Sequence, residues 1–187
     1  NERLKTTFIA SAWRDKSDTL AKQLIAVTPA VPARLSPVLV DYPLAPHDNR
    51  AADWSPGFDL ARDDYFYQGA VRADYALNDE ITLTSISAYE RYKTEALGDS
   101  DGTNVVDPTT YTEGSIDTFT QELRVAGDAA RLHWIVGVNY ETDDIEDTIL
   151  PTLFGASNTT VFGITFNQSR NTTATVVDTR AAFGNIQ

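Results

Sequence analysis

The sequence has 187 residues, 42% of them apolar, with no cysteine, two histidines and 27 acidic against 15 basic residues, a net charge of -12. That length suits one ordinary domain, the apolar share excludes wholesale disorder, and the acidic balance argues against a nucleic-acid partner, which needs a concentrated basic surface. Disulfides, thiolate metal sites and cysteine nucleophiles are excluded outright, and no apolar run approaches the ~20 residues of a membrane-spanning helix. Strands escape that last limit, because each needs only ~9–11 residues and one apolar face to cross a bilayer.

The first predicted element is a strand over residues 4–14, rich in β-branched and aromatic residues. A long irregular region follows over 16–61, with Pro29, Pro32, Pro37, Pro43, Pro46 and Pro56 forbidding a continuous helix or central strand. From Asp63 a period-2 pattern is clear: Tyr65, Tyr67, Gly69, Val71, Ala73 and Tyr75 fall on one face, with Asp64, Gln68, Arg72 and Asp74 on the other. Asn78-Asp79 marks a turn, and a Thr/Ser-rich strand starts at Ile81 and runs to Tyr92. A second polar loop is expected over 93–114.

The next pair alternates most cleanly. Phe119, Gln121, Leu123 and Val125 share one face, opposite Thr118, Thr120, Glu122 and Arg124. After a tight turn at 127–130, Leu132, Trp134, Val136, Val138 and Tyr140 are set against His133, Gly137, Asn139 and Glu141. A third long connection is expected over 142–177, and a last strand from Thr179 to Gln187. The chain begins at Asn1 without a signal peptide and stops inside a strand pattern, which reads as a fragment or a processed chain.

Connection lengths alternate long, short, long, short, long. In an up-and-down meander this places all long loops at one end and all tight turns at the other, the asymmetry of outer-membrane barrels. The expected fold is therefore all-β: a transmembrane antiparallel up-and-down β-barrel portion of about six strands, with the loops at 16–61, 93–114 and 142–177 outside. Tyr67, Tyr75, Tyr89, Trp134 and Tyr140 near strand ends suit an aromatic girdle. A secreted β-sandwich that binds a carbohydrate or another surface partner shares the alternating pattern and stays open as an alternative, as does a porin-like channel.

Ile81-Thr-Leu-Thr-Ser-Ile-Ser-Ala-Tyr89, Phe119-Thr-Gln-Glu-Leu-Arg124, Trp134-Ile-Val-Gly-Val-Asn-Tyr140 and Ala181-Ala-Phe-Gly184 occur in that order. Together with Trp13-Arg-Asp-Lys-Ser-Asp-Thr-Leu20, they resemble the middle barrel strands of TonB-dependent outer-membrane receptors. The resemblance implies a 22-stranded barrel with an N-terminal plug in the outer membrane of a Gram-negative bacterium. It also implies active uptake of a scarce ligand, such as a ferric siderophore, cobalamin, haem or an oligosaccharide, with energy passed on through TonB. The partners implied are membrane lipid and lipopolysaccharide, the plug domain, TonB and a small-molecule ligand. No plug domain is recognisable in 1–187.

Candidate chemistry is sparse. Asp99, Asp101 and Asp107 offer closely spaced oxygen ligands for Ca²⁺, but the bidentate glutamate of an EF-hand is absent. The acidic run 141–147 is expected where a strand emerges into its loop, as wet surface that would meet cations. Arg72 with Asp74, and Glu122 with Arg124, belong to the expected lumen face, where pairing across strands would hold register. His133 borders the tight turn, and His47 lies in the proline-rich loop beside Tyr42 and Asp48 as a weak iron- or haem-chelate candidate. No nucleophile–base pair, phosphate loop or HExxH is present, so no enzymatic activity is expected.

Overall fold

The structure, a computed structural model, describes residues 3–28, 41–46, 48–104, 109–129, 131–151 and 170–187. They form six strands: β1 (Leu4–Asp15), β2 (Asp64–Ala76), β3 (Ile81–Asp99), β4 (Thr109–Ala129), β5 (Leu132–Pro151) and β6 (Asn171–Ile186). Each pairs antiparallel with its sequence neighbour, in the order β1-β2-β3-β4-β5-β6, as one open up-and-down sheet. The described residues contain no helix and no second sheet.

Short connections at one end force this order. Between β2 and β3 the Asn78 side-chain oxygen accepts the backbone N–H groups of Glu80 (2.9 Å) and Ile81 (2.8 Å), so the turn is closed by its own asparagine. Between β4 and β5 only residues 130–131 remain, because β4 runs on through Gly127 and Asp128, which the sequence pattern assigns to the turn. His133 Nδ1 lies 2.5 Å from Asp128 Oδ1 across this hairpin end.

Four of the strands are longer than their alternation suggests. β3 continues to Asp99 and β4 starts at Thr109, so the expected loop 93–114 narrows to 100–108. β5 continues to Pro151 and β6 starts at Asn171, which narrows the expected loop 142–177 to 152–170. With 19, 21 and 20 residues, β3, β4 and β5 are about twice the ~9–11 residues needed to cross a bilayer. Their turn-side halves alternate apolar with polar residues; their loop-side halves do not, and that difference organises the surface described below.

Two glycines admit an aromatic ring from the neighbouring strand. The Trp134 indole covers Gly127, and the Phe183 ring covers Gly137, each in the space that a Cβ would fill. Trp134 is the direct register partner of Gly127, and Phe183 of Gly137, so each ring shields a stretch of ladder that bears no side chain of its own. Gly127→Ala is expected to displace the indole and lower stability by about 1–3 kcal/mol, the usual cost of overpacking. Thermal unfolding and Trp emission would report it. Gly69→Ala, at a position with nothing within 4 Å, is the control expected to leave both unchanged.

Candidate membrane face and loop clasp

Register assigns every strand residue to one of two faces. On the first face, the turn-side half carries Leu4 and Phe8 of β1, Val71 and Tyr75 of β2, Ile81 and Leu83 of β3, Leu123 and Val125 of β4, and Leu132, Val136 and Val138 of β5. No hydrophobic side chain among the described residues is buried. Phe8 is 75% exposed, and Val136 and Val138 are each 52% exposed. In water, exposing a contiguous apolar sheet face costs about 25 cal/mol per Å², so this face requires an apolar medium or partner against it.

Aromatic residues bound the apolar band. Tyr67, Tyr89, Phe119 and Tyr140 mark its loop-side limit, with Tyr67 and Tyr89 at 6.2 Å between ring centroids; Tyr75 and Trp134 lie towards the turns. Tyr67 and Tyr75 are separated by about 27 Å of strand, or about 20 Å of height at a barrel-like tilt of ~40°. Phe119 joins the expected girdle. Its place is visible only once the register sets it opposite Tyr89.

Beyond that limit the polarity of the two faces exchanges. The same face turns charged, with Arg91 paired to Asp117 at 3.3 Å and Lys93 to Glu113 at 3.1 Å; the Tyr89 hydroxyl also donates to Asp117. Arg14 forms a two-pronged ion pair with Asp63 (2.7 and 2.5 Å), and hydrogen bonding from Arg14, followed by the charges of Arg14 and Lys16, holds the Asp63 carboxyl down to about 2. Meanwhile the opposite face, polar near the turns, acquires the register row Trp13–Phe66–Tyr92–Ile116–Ile145. In that row Trp13 stacks on Phe66 with centroids 6.1 Å apart.

The polar groups expected on the second face are there, but they pair along strands. Arg72 binds Asp74 (2.8 Å) and Arg124 binds Glu122 (3.1 Å), each two residues apart on one strand. The cross-strand tie comes from the Thr84 hydroxyl, which donates to Asp74 at 2.7 Å. The acidic run 141–147 lies within β5 rather than in a loop, so Asp144 and Glu146 share one face and Asp143 and Asp147 the other. Thr118 donates to Asp143 at 2.6 Å.

The Ca²⁺ candidates resolve differently. Asp99, at the end of β3, is buried and accepts three backbone N–H groups: Ser55 (2.8 Å), Asp101 (3.0 Å) and Gly102 (3.0 Å). Asp101 accepts the Thr103 N–H at 2.8 Å. Asp107 and His47 lie outside the described residues, and among those described no group of three or more His, Cys, Asp or Glu is placed to hold a metal. The Asp99 carboxylate is thus engaged by the backbone. It fastens the long β1–β2 connection to the tip of the β3–β4 hairpin.

Other contacts complete this clasp. The Tyr42 hydroxyl donates to Asp53 (2.7 Å) and accepts the Asn104 N–H (2.6 Å). Gly102, at φ 70°, packs against the backbone at Lys22 and Leu24 so closely that a Cβ would lie 2.9 Å from the Lys22 carbonyl oxygen, which leaves glycine as the residue that fits. Lower down, the Thr19 hydroxyl donates towards the carbonyls of Leu60 (3.0 Å) and Leu97 (2.8 Å), while isolated bridges join Asp18 to Ala61 and Arg62 to Ala96. Sequence reasoning misses the clasp because its partners are distant in the chain; Gly102, three residues after Asp99, is its one local signal.

No protein family, curated protein or solved structure matches the chain.

Burial pushes the Asp99 carboxyl up, but the N–H donors of Ser55, Gly102 and Asp101 outweigh it, and the net displacement is downward. Burial, then the neighbouring Asp99 charge, raises Asp101. A lowered folded-state value means that Asp99 stabilises the clasp above the ordinary carboxylate range and loses that contribution as pH falls through the lowered value. Asp101 has the opposite sign, its cost present at neutral pH and relieved on protonation. Asp99→Ala is expected to cost about 2 kcal/mol locally, roughly 30-fold faster amide exchange at Ser55, with Trp134 fluorescence unchanged. Unaltered Ser55 exchange would show that the carboxylate does not hold the loop.

Proposed function

We propose that this chain forms part of the wall of an outer-membrane β-barrel, of the TonB-dependent receptor type, that serves active uptake of a scarce ligand. The observation that carries this reading is the apolar band of the first face, limited by aromatic rows and covered by no protein layer among the described residues. Its height of about 20 Å is close to the ~25 Å apolar band of outer-membrane barrels. A β-sandwich would bury this face against a second sheet, and none is present among the described residues.

In this reading the first face meets lipid, and the Arg72/Asp74 and Glu122/Arg124 pairs face the lumen. The hairpin turns face the periplasm, and the clasped loops face outside. The loop-side halves of β3, β4 and β5 rise above the bilayer, where an outward charged surface is solvated. The Trp13–Phe66–Tyr92 row then faces the mouth of the lumen, where a plug or an entering ligand would meet it. The TonB coupling and the ligand classes, from ferric siderophores and haem to cobalamin and oligosaccharides, rest on the family resemblance of the strand segments.

Reconstitution of the full-length protein tests the barrel. Phospholipids brominated on the acyl chain should quench the emission component that Trp134→Phe removes. Val138→Arg should cost about 2–4 kcal/mol of folding free energy in vesicles, whereas Asn139→Arg, one residue away on the lumen side, should be tolerated. Unquenched Trp134, or equal costs at 138 and 139, would overturn the reading. Planar bilayers separate the transport classes: a plugged receptor holds no open conductance, and a porin-like channel conducts.

A further inference from the structure

On the first face, a shallow groove of ≈ 700 Å³ runs between β4, β5 and β6, floored by Leu123, Val138 and Ala182 and headed by Gln121, Tyr140 and Arg180. Its origin is local. β6 carries small residues, Ala182 and Gly184, beside the branched Val138 and Val136 of β5, so the surface dips along that strand. The groove is apolar along its length and cationic at one end. That end lies at the aromatic row, where the apolar band meets the charged surface.

Arg180 differs from the other cations on this face. Arg14, Arg91 and Lys93 are each held by a carboxylate. Arg180, by contrast, places its guanidinium 5.8 Å from the centroid of the Tyr140 ring, its direct register partner, and no carboxylate among the described residues lies within ion-pair distance. The nearest acidic neighbour along the strand, Asp178, instead accepts the Tyr140 hydroxyl at 2.7 Å. This bond fixes the ring beneath the guanidinium and occupies Asp178.

We propose that this groove is a binding site for one phosphate-bearing membrane lipid, with an acyl chain along Leu123, Val138 and Ala182 and its phosphate on Arg180. The inference rests on the barrel reading, which puts this face in the bilayer and Arg180 at headgroup depth. Charge complementarity selects the occupant. A planar guanidinium matches phosphate oxygens in a two-pronged geometry, and its place over the Tyr140 ring orients it before the lipid arrives. A zwitterionic or uncharged headgroup would gain less, because its own cation or hydroxyls offset or replace the phosphate charge.

The test uses the full-length protein in vesicles of phosphatidylcholine containing a minority of phosphatidylglycerol, followed by native mass spectrometry of the released protein. Wild type should retain phosphatidylglycerol in excess of its share. Arg180→Gln should reduce that excess about 5-fold, the size expected for one cation at an anionic lipid surface, and Arg180→Lys should restore part of it. Tyr140→Phe, which keeps the ring but frees Asp178 to compete for Arg180, should fall in between. Quenching of Trp134 by brominated lipid, measured on each variant, confirms insertion. Quenched Trp134 with unchanged retention in Arg180→Gln overturns the lipid site alone; unquenched Trp134 in wild type overturns the barrel reading, and the site with it.

Discussion

A meander of strands satisfies its backbone sideways, never through its faces. The N–H and C=O groups of β2 to β5 are used by the strand before or the strand after, so the ladder forms without any hydrophobic side chain among the described residues being buried. The faces are then free to match whatever media adjoin them. Everything else in this sheet follows from that freedom: an apolar band that no protein layer covers among the described residues, a polar reverse, and an exchange of the two at one level of the sheet. A sandwich could not arrange itself so, because burying one face against a second sheet fixes that face as apolar along its whole length.

The exchange of polarity also explains what was legible in the sequence. In the turn-side halves one face is apolar and the other polar, so Tyr67 to Tyr75 and Leu132 to Tyr140 display the period of two directly, and Asn78 announces its turn. Past the aromatic row, Lys93 and Glu95 stand on the first face with Thr94 and Ala96 on the second, and the alternation loses its contrast. The run from Glu141 to Asp147 has acidic residues on both faces of β5 and therefore reads as loop, although its backbone is fully laddered to Thr120–Gly114. Turn-side ends were legible and the loop-side ends of β3 to β6 were not, because hydropathy contrast marks what adjoins a strand rather than the strand itself.

Asp99 illustrates a second limit. Clustered with Asp101 and Asp107, it has the composition of a cation loop, and composition cannot reveal that its acceptor capacity is taken by N–H groups, one of them from Ser55, 44 residues earlier. The same oxygen chemistry that would bind Ca²⁺ serves backbone donors equally well, and geometry alone decides between them. The clasp has a plain mechanical consequence. A long connection tethered only at its strand ends would sample a large volume, whereas the contacts at Thr19, Tyr42 and Ser55 hold the described parts of this one against the β3–β4 hairpin.

The clasp and the apolar face thus solve opposite problems with the same sheet. Near the turns, large rings lie over bare glycines, Trp134 on Gly127 on the first face and Phe183 on Gly137 on the second, and close the ladder on both sides of the sheet. Near the loops, order comes from ion pairs and from backbone donors gathered on one buried carboxylate. Exposed ion pairs such as Arg91–Asp117 contribute at most about 1 kcal/mol each, and hydrogen bonds to a buried charge about 1.5–3. The loop-side architecture therefore depends more on Asp99 than on the many charges that surround it.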